Sequence, residues 1–268
     1  MRHACSHVVG FRQWPSCRCS NSVPRVDGWM HLLGKGRLRA RRRNQSLRSA
    51  VVRQLLGHGV PREAIRHEIT FDMSSSDGRG DIIVALDQML IGIELKSGSD
   101  TLDRLEMQRG RYRRRFDRLC LVIDKRLVPA EDEYWLNGWS FELKFGSIVV
   151  FSDGDLSQIP SYSTLPWVEQ DHPCFPKGPS DHQAPAATLA LLWANEVTDV
   201  HDRLARDGAI ERIGNRTRCK LIPHIAEHAS ISNIRPLVAQ ALRNRQPNKW
   251  ELEFWRRFDA SAGVEVAP

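Results

Sequence analysis

The sequence predicts an α/β protein with a mixed central β-sheet flanked by helices, followed by a small C-terminal helical domain. Three observations carry this reading. A helical apolar period opens the ordered part of the chain, three strand-like segments follow within 67–96, and a proline-rich stretch separates these from a second set of amphipathic helices.

Each element has its own signal. Leu47, Val51, Leu55 and Leu56 recur at three to four residues, and Gly57 to Gly59 end the run, so a first helix is expected over about 46–57. His67 to Phe71 alternates, Asp81 to Leu86 is rich in β-branched residues, and Met89 to Lys96 is apolar with polar residues only at its end. Thr101 to Phe116 reads as a helix with Asp100 or Ser99 as N-cap. Leu119 to Ile123 and Ile148 to Phe151 suit buried strands. Six prolines punctuate 152–185, which is therefore expected to be a linker. Beyond it, Ala186 to Arg206, Arg218 to Ala229 and Ile231 to Arg245 read as helices, and Trp250, Phe254, Trp255 and Phe258 mark a terminal helix that packs back, giving a helical domain over about 186–260.

Composition bounds the function. The 268 residues carry 39 Lys+Arg against 32 Asp+Glu, a formal net charge of +7. The basic excess is clustered in Lys35 to Arg48 and in Arg109 to Arg118, a pattern suited to polyanions or to a solvated helix face. No apolar run approaches the length of a membrane span and no secretory signal is evident, so a cytoplasmic protein with no membrane partner is expected. The six cysteines are expected to be reduced. Residues 1–45 read as a poorly ordered basic arm, with Met30 as an alternative start; Cys5, His7, Cys17 and Cys19 match no standard zinc spacing. Leu33-Gly34-Lys35-Gly36 lacks the P-loop spacing, and no Gly-x-Ser-x-Gly is present.

The informative segment is Gly80 to Lys96. With Asp87-Gln88 at a hairpin tip, Leu86 faces Met89, paired positions sum to 175, and Asp81 lies opposite Glu94. Two carboxylates across an antiparallel pair repel, so a cation is expected between them. Lys96, two residues beyond Glu94, points to the same side. A divalent cation bridging Asp81 and Glu94 would relieve the repulsion, Mg²⁺ being favoured by hard oxygen ligands and Mn²⁺ an acceptable substitute. On the following helix Leu105, Gln108, Tyr112 and Phe116 share one stripe, which brings the Gln108 amide to the sheet.

Asp81 with Glu94-Leu95-Lys96 resembles the signature of the PD-(D/E)XK nuclease superfamily, an Asp followed by Glu-x-Lys on the next strand. Gly80 stands where that motif often has proline. Gln108 to Tyr112 looks like the Gln-x-x-x-Tyr element of the RecB-like branch, and the run from Glu94 to Leu105 is similar to small bacterial and phage members tied to DNA repair. The resemblance covers about 46–151 and implies a restriction-endonuclease-like core and Mg²⁺-dependent hydrolysis of DNA phosphodiesters in repair or in phage or mobile-element DNA processing, leaving 5′-phosphates. It implies that Asp81, Glu94 and the Leu95 carbonyl hold the metal, with Glu68 acting through water, that Lys96 orients or activates the attacking water, and that Gln108 fixes the site. Glu63 in its place, or a purely solvated role for Glu68, would serve as well.

Arg104, Arg111, Arg113, Arg114 and Arg115 are expected to meet DNA phosphates. Tyr112 reads as core rather than catalytic, and His224 and His228 as ordinary solvent or core histidines. Residues from Trp193 to Arg243 are loosely similar to SAP-like DNA-binding modules, with plain helical packing as the other account. The competing class is a catalytically inactive DNA-binding or adaptor protein that kept the fold. A homodimer or a place in a repair complex stays open in either case.

Overall fold

The computed structural model describes residues 44–71, 78–87, 89–98, 100–128, 147–152, 155–158 and 184–261. Outside the described residues lie most of the expected basic arm, with Cys5, His7, Cys17 and Cys19, together with Gln88, Ser99 and most of the proline-rich segment. The described residues all belong to one compact unit, Leu38–Pro268.

Helix α1 (44–57) and a short 3-10 turn (Arg62–Ala64) lead into β1 (Ile65–Thr70), β2 (Arg79–Leu86) and β3 (Met89–Lys96). Helix α2 (Leu105–Arg113) crosses to β4 (Arg118–Asp124), and β5 (Ser147–Ser152) and β6 (Asp155–Gln158) complete the sheet. The six strands lie in chain order. β1, β2 and β3 pair antiparallel, β3, β4 and β5 pair parallel, and β6 returns antiparallel to β5, so the sheet is mixed as expected. The β2–β3 register joins Leu86 to Met89 and Ile82 to Ile93, the pairing that the sequence pattern predicts.

Alternation along the strands sorts the core into two layers. Ile82, Val84, Ile91, Ile93, Cys120 and Val122 face Leu47, Val51 and Leu55 of α1. Ile83, Ala85, Leu90, Leu121 and Ile123 face Tyr112 and Phe116 of α2.

The C-terminal segment forms α3 (Pro185–Leu189), α4 (Ala194–Arg206), α5 (Arg218–His228), α6 (Ile231–Asn244) and α7 (Lys249–Ser261). The expected single helix from Ala186 to Arg206 is broken over 190–193. There Leu191 and Leu192 turn into the core, and Arg218 donates to the carbonyls of Ala190 and Leu192 at 2.9 and 3.1 Å. Helix α2 starts later than expected because Asp100 is used elsewhere, accepting from the Ser97 N–H and Oγ at 2.7 and 2.8 Å.

These C-terminal helices share their core with the sheet. Val197, Leu221, Ile234 and Val238 join the α2 layer, while Phe254, Trp255 and Phe258 of α7 join the α1 layer. Polar ties fix the docking. Asp117 accepts from the Leu90 N–H at 2.7 Å and pairs with Arg235 of α6 at 2.9 Å, and burial pushes its carboxyl up to about 6. Glu251, 1% exposed at the start of α7, accepts from Arg66 at 2.9 Å and from the His67 N–H at 3.0 Å. It also exchanges hydrogen bonds with Asn248 at 3.0 and 2.9 Å, closing a capping box. Arg66 in turn donates to the Arg245 carbonyl at 2.6 Å.

Removing the Glu251 carboxylate leaves the buried Arg66 guanidinium without its charge partner. Glu251→Ala is therefore expected to lose about 3 to 5 kcal/mol of stability, measured as the urea unfolding free energy of the two proteins.

Candidate active site

The β1–β2 register is regular except at one place. Ile65 pairs with Val84, His67 with Ile82, Ile69 with Gly80 and Thr70 with Arg79, while Glu68 and Asp81, which would face each other, form no ladder pair. Glu68 has φ +53°, in the left-handed region that costs a non-glycine residue about 1 to 2 kcal/mol. Its consequence is a change of face. Ile65 and His67 pack on the α1/α7 side, whereas Ile69 and Phe71 pack on the α2 side. Glu68 and Asp81 thus stand where the sheet opens, beside Glu94 of β3.

Arg48 of α1 fills this opening. Its guanidinium donates to Glu68 Oε1 at 2.6 Å and to the Asp81 carbonyl, lies 3.4 Å from Asp81 Oδ1, and sits 4.9 Å from the centre of the Trp250 ring. The side chain is buried, although the sequence groups it with the basic cluster Lys35 to Arg48. Arg79 holds the other Glu68 oxygen at 2.6 Å. Burial raises the Glu68 carboxyl, with the nearby Asp81 charge adding to the rise and Arg48 and Arg79 opposing it.

On the α2 side the Glu-x-Lys pair is buried and ordered by that helix. Lys96 Nζ lies 3.0 Å from Glu94 Oε1 and donates to Gln108 Oε1 at 2.7 Å. The Tyr112 hydroxyl donates to Glu94 Oε2 at 2.8 Å and accepts from the Asp81 N–H at 3.1 Å, so this core tyrosine also joins β2 to β3 at the site. Tyr112 and Phe116 reach the sheet because position 92 is glycine; a Cβ there would lie 2.5 Å from both rings. Asp81 Oδ2 accepts from the Leu95 N–H at 2.9 Å. In an extended strand a residue's N–H and C=O lie on the same edge, which puts the Leu95 carbonyl on the β2 side.

Burial first, and then repulsion from Asp81, push Glu94 up to about 7, against the pull of Lys96 and Tyr112. The Tyr112 hydroxyl is pushed well above its usual value, mainly by burial, and stays a proton donor.

The structure therefore brings Asp81, Glu94, Lys96 and Gln108 together, with Glu68 across Arg48. Asp81 and Glu94 supply the hard oxygens and mutual repulsion that suit a divalent cation. Glu68 has both oxygens on guanidinium groups. Among the described residues no group of three or more His, Cys, Asp or Glu side chains is placed to hold a metal, so a cation here would rest on two carboxylates and a backbone carbonyl.

Of the arginines expected at phosphates, Arg104 and Arg114 are exposed, and Arg111, Arg113 and Arg115 are half-buried. Arg115 donates to the Arg111 carbonyl at 2.6 Å and stacks on Phe71 at 4.5 Å. Arg48, Trp250 and Glu251 were not evident as site residues from sequence. Arg48 did carry a signal, since it precedes Val51, Val52 and Leu55 by three, four and seven positions, on the apolar face of α1.

Residues 38–130 match the family described as bacteriophage P4 protein cII. No curated protein and no solved structure matches the chain. About a third of the chain is thus similar to a phage protein family, and that stretch holds α1, the three carboxylates, Lys96 and α2. No helix among the described residues is long and apolar enough to cross a membrane.

The elevated Glu94 value has a sign in pH. Its folded-state value lies above the ordinary carboxylate range, so the contribution of Glu94 to stability is full below about 4.5 and is lost as pH rises towards 7. Glu68 and Asp117 act in the same direction. Buried His67, whose value is lowered, acts in the opposite direction, so the test is a difference: the slope of the urea midpoint against pH across this window should be more negative in the parent than in Glu94→Gln.

Proposed function

We propose that the chain is a metal-dependent phosphodiesterase acting on DNA, with a nuclease-like core of the PD-(D/E)XK type and a role in phage or mobile-element DNA processing or repair. The observation that carries this reading is the convergence of Asp81, Glu94 and Lys96 at the ends of β2 and β3, with Gln108 and Tyr112 delivered by α2. The helix-strand-strand-strand-helix-strand order from α1 to β4 supports it, as does the phage similarity over the same residues.

Asp81, Glu94 and the Leu95 carbonyl would hold the cation. When bound, Mg²⁺ supplies Lewis-acid stabilisation of charge on the phosphate and makes a bound water more acidic. Lys96 holds its protons towards the reacting phosphate or the attacking water, and its ammonium offsets the charge that builds in the transition state. Gln108 fixes the Lys96 rotamer through its amide oxygen. Tyr112 fixes Glu94 and sets the β2–β3 spacing.

A second reading has its own observation. Arg48 already supplies a cation to Glu68 and Asp81, and Glu94 and Lys96 are only 3% and 5% exposed, which suits a catalytically silent DNA-binding protein.

Cleavage separates the two. Lys96→Met should lower Mg²⁺-dependent cutting by about 10² or more with little change in DNA affinity. Removing Arg104 and Arg114 should instead weaken binding and flatten the slope of log affinity against log salt by about 0.9 per lost duplex contact. A parent protein that binds with such a slope yet cuts no DNA form in Mg²⁺ or Mn²⁺ would establish the silent reading.

A further inference from the structure

A cleft of about 370 Å³ opens on the α1/α7 side of the site, and Arg48, Glu68 and Ser97 belong to its wall. Arg48 reaches from this wall to the carbonyl and carboxylate of Asp81, so the cleft adjoins Asp81. The opposite wall is α7, with Trp250, Phe254 and Arg257. Trp250 keeps 40% of its surface exposed although Arg48, His67 and Phe254 all pack against it. The Trp250 and Phe254 rings are parallel within 9°, with centroids 5.8 Å apart, so the buried Phe254 backs the exposed Trp250.

The charges along this wall do not favour a phosphate. Arg48 and Arg257 are matched by Glu68, Asp100 and Glu253, and Arg257 already donates to Glu253 at 2.6 Å. A neutral, flat group with hydrogen-bonding edges suits such a lining, to which Asn44 and Gln45 add amide groups. The volume falls within the range of small-molecule sites.

We infer that this cleft takes an unpaired nucleobase of the DNA strand, stacked on Trp250, while the adjoining phosphate lies at Asp81 and Lys96. The inference rests on the DNA reading above and adds a substrate class to it: single-stranded ends, gaps or flipped bases rather than continuous duplex. It also gives the C-terminal helix a role, since without α7 the cleft has one wall.

The test is fluorescence anisotropy in EDTA with a labelled blunt DNA hairpin and the same hairpin carrying a short single-stranded tail. The parent should bind the tailed form more tightly. Trp250→Ala should weaken the tailed form by roughly tenfold, as loss of one base–aromatic stack does, and leave the blunt form unchanged. Trp250→Phe should keep most of the preference. Should Trp250→Ala fail to fold, the Asn44→Ala/Gln45→Ala double variant decides, with a selective loss on the tailed form expected. No tail preference in the parent, no DNA binding at all, or equal losses on both forms in the deciding variant would overturn the inference. Lys96-dependent cutting indifferent to Trp250 would sink the cleft alone. A Trp250-dependent tail preference in a protein that never cuts would sink the hydrolase reading and leave the cleft standing.

Discussion

The Arg48 guanidinium lies where four elements meet, and the geometry of the site follows from what it holds. It comes from α1, binds Glu68 of β1 and both the carbonyl and the carboxylate of Asp81 in β2, and lies against Trp250 of α7. Three carboxylates from neighbouring strands could not be buried together without cations, because desolvation and mutual repulsion would protonate some of them. Arg48 compensates one side of the group and Lys96 the other. Glu68 adopts a left-handed backbone where the strand changes face, and two guanidinium contacts help offset that local cost. The opening between β1 and β2 is therefore a built feature, with a buried charge as its keystone.

The same point joins the two halves of the chain. Glu251 binds the backbone of His67 and the side chain of Arg66, the two residues before Glu68, so the start of α7 is fixed to the strand that changes face. His67 is buried among Trp250, Phe254 and Trp255, and desolvation, aided by Arg48 and Arg66, lowers its pKa well below the usual histidine value. A neutral imidazole suits this aromatic setting. The C-terminal helices thus position the candidate site as well as packing beside it, and the stretch similar to the phage family ends before they begin.

Much of the sheet was legible because strand period and hairpin register are local. Met89–Lys96 matches its expected span, and the Leu86–Met89 pairing follows from a two-residue tip. That register alone brings Asp81 towards Glu94. What the pattern could not convey depends on tertiary contacts. Arg48 read as one more residue of a basic run, and only its place on the apolar face of α1 hinted at burial. Asp100 looked like an N-cap but closes the turn at Ser97. The break after α3 is held by Arg218, which lies 26 residues beyond Leu192. Strand β6 falls in a segment whose prolines suggested a linker. The face change at Glu68 left no sequence signal, since glutamate has no preference for positive φ.

The account turns on whether the Asp81–Glu94 pair is a metal centre or a pair of carboxylates satisfied by Arg48, Lys96 and Tyr112 alone. Both arrangements bring the two carboxylates together beside Lys96 and Tyr112, and only the first requires a divalent cation to bind. The most direct measurement is a calorimetric titration of the parent protein and Asp81→Asn with Mn²⁺. The metal-dependent account predicts a saturable site in the parent that is lost in the variant. No binding heat in the parent, or the same isotherm in both proteins, would contradict it.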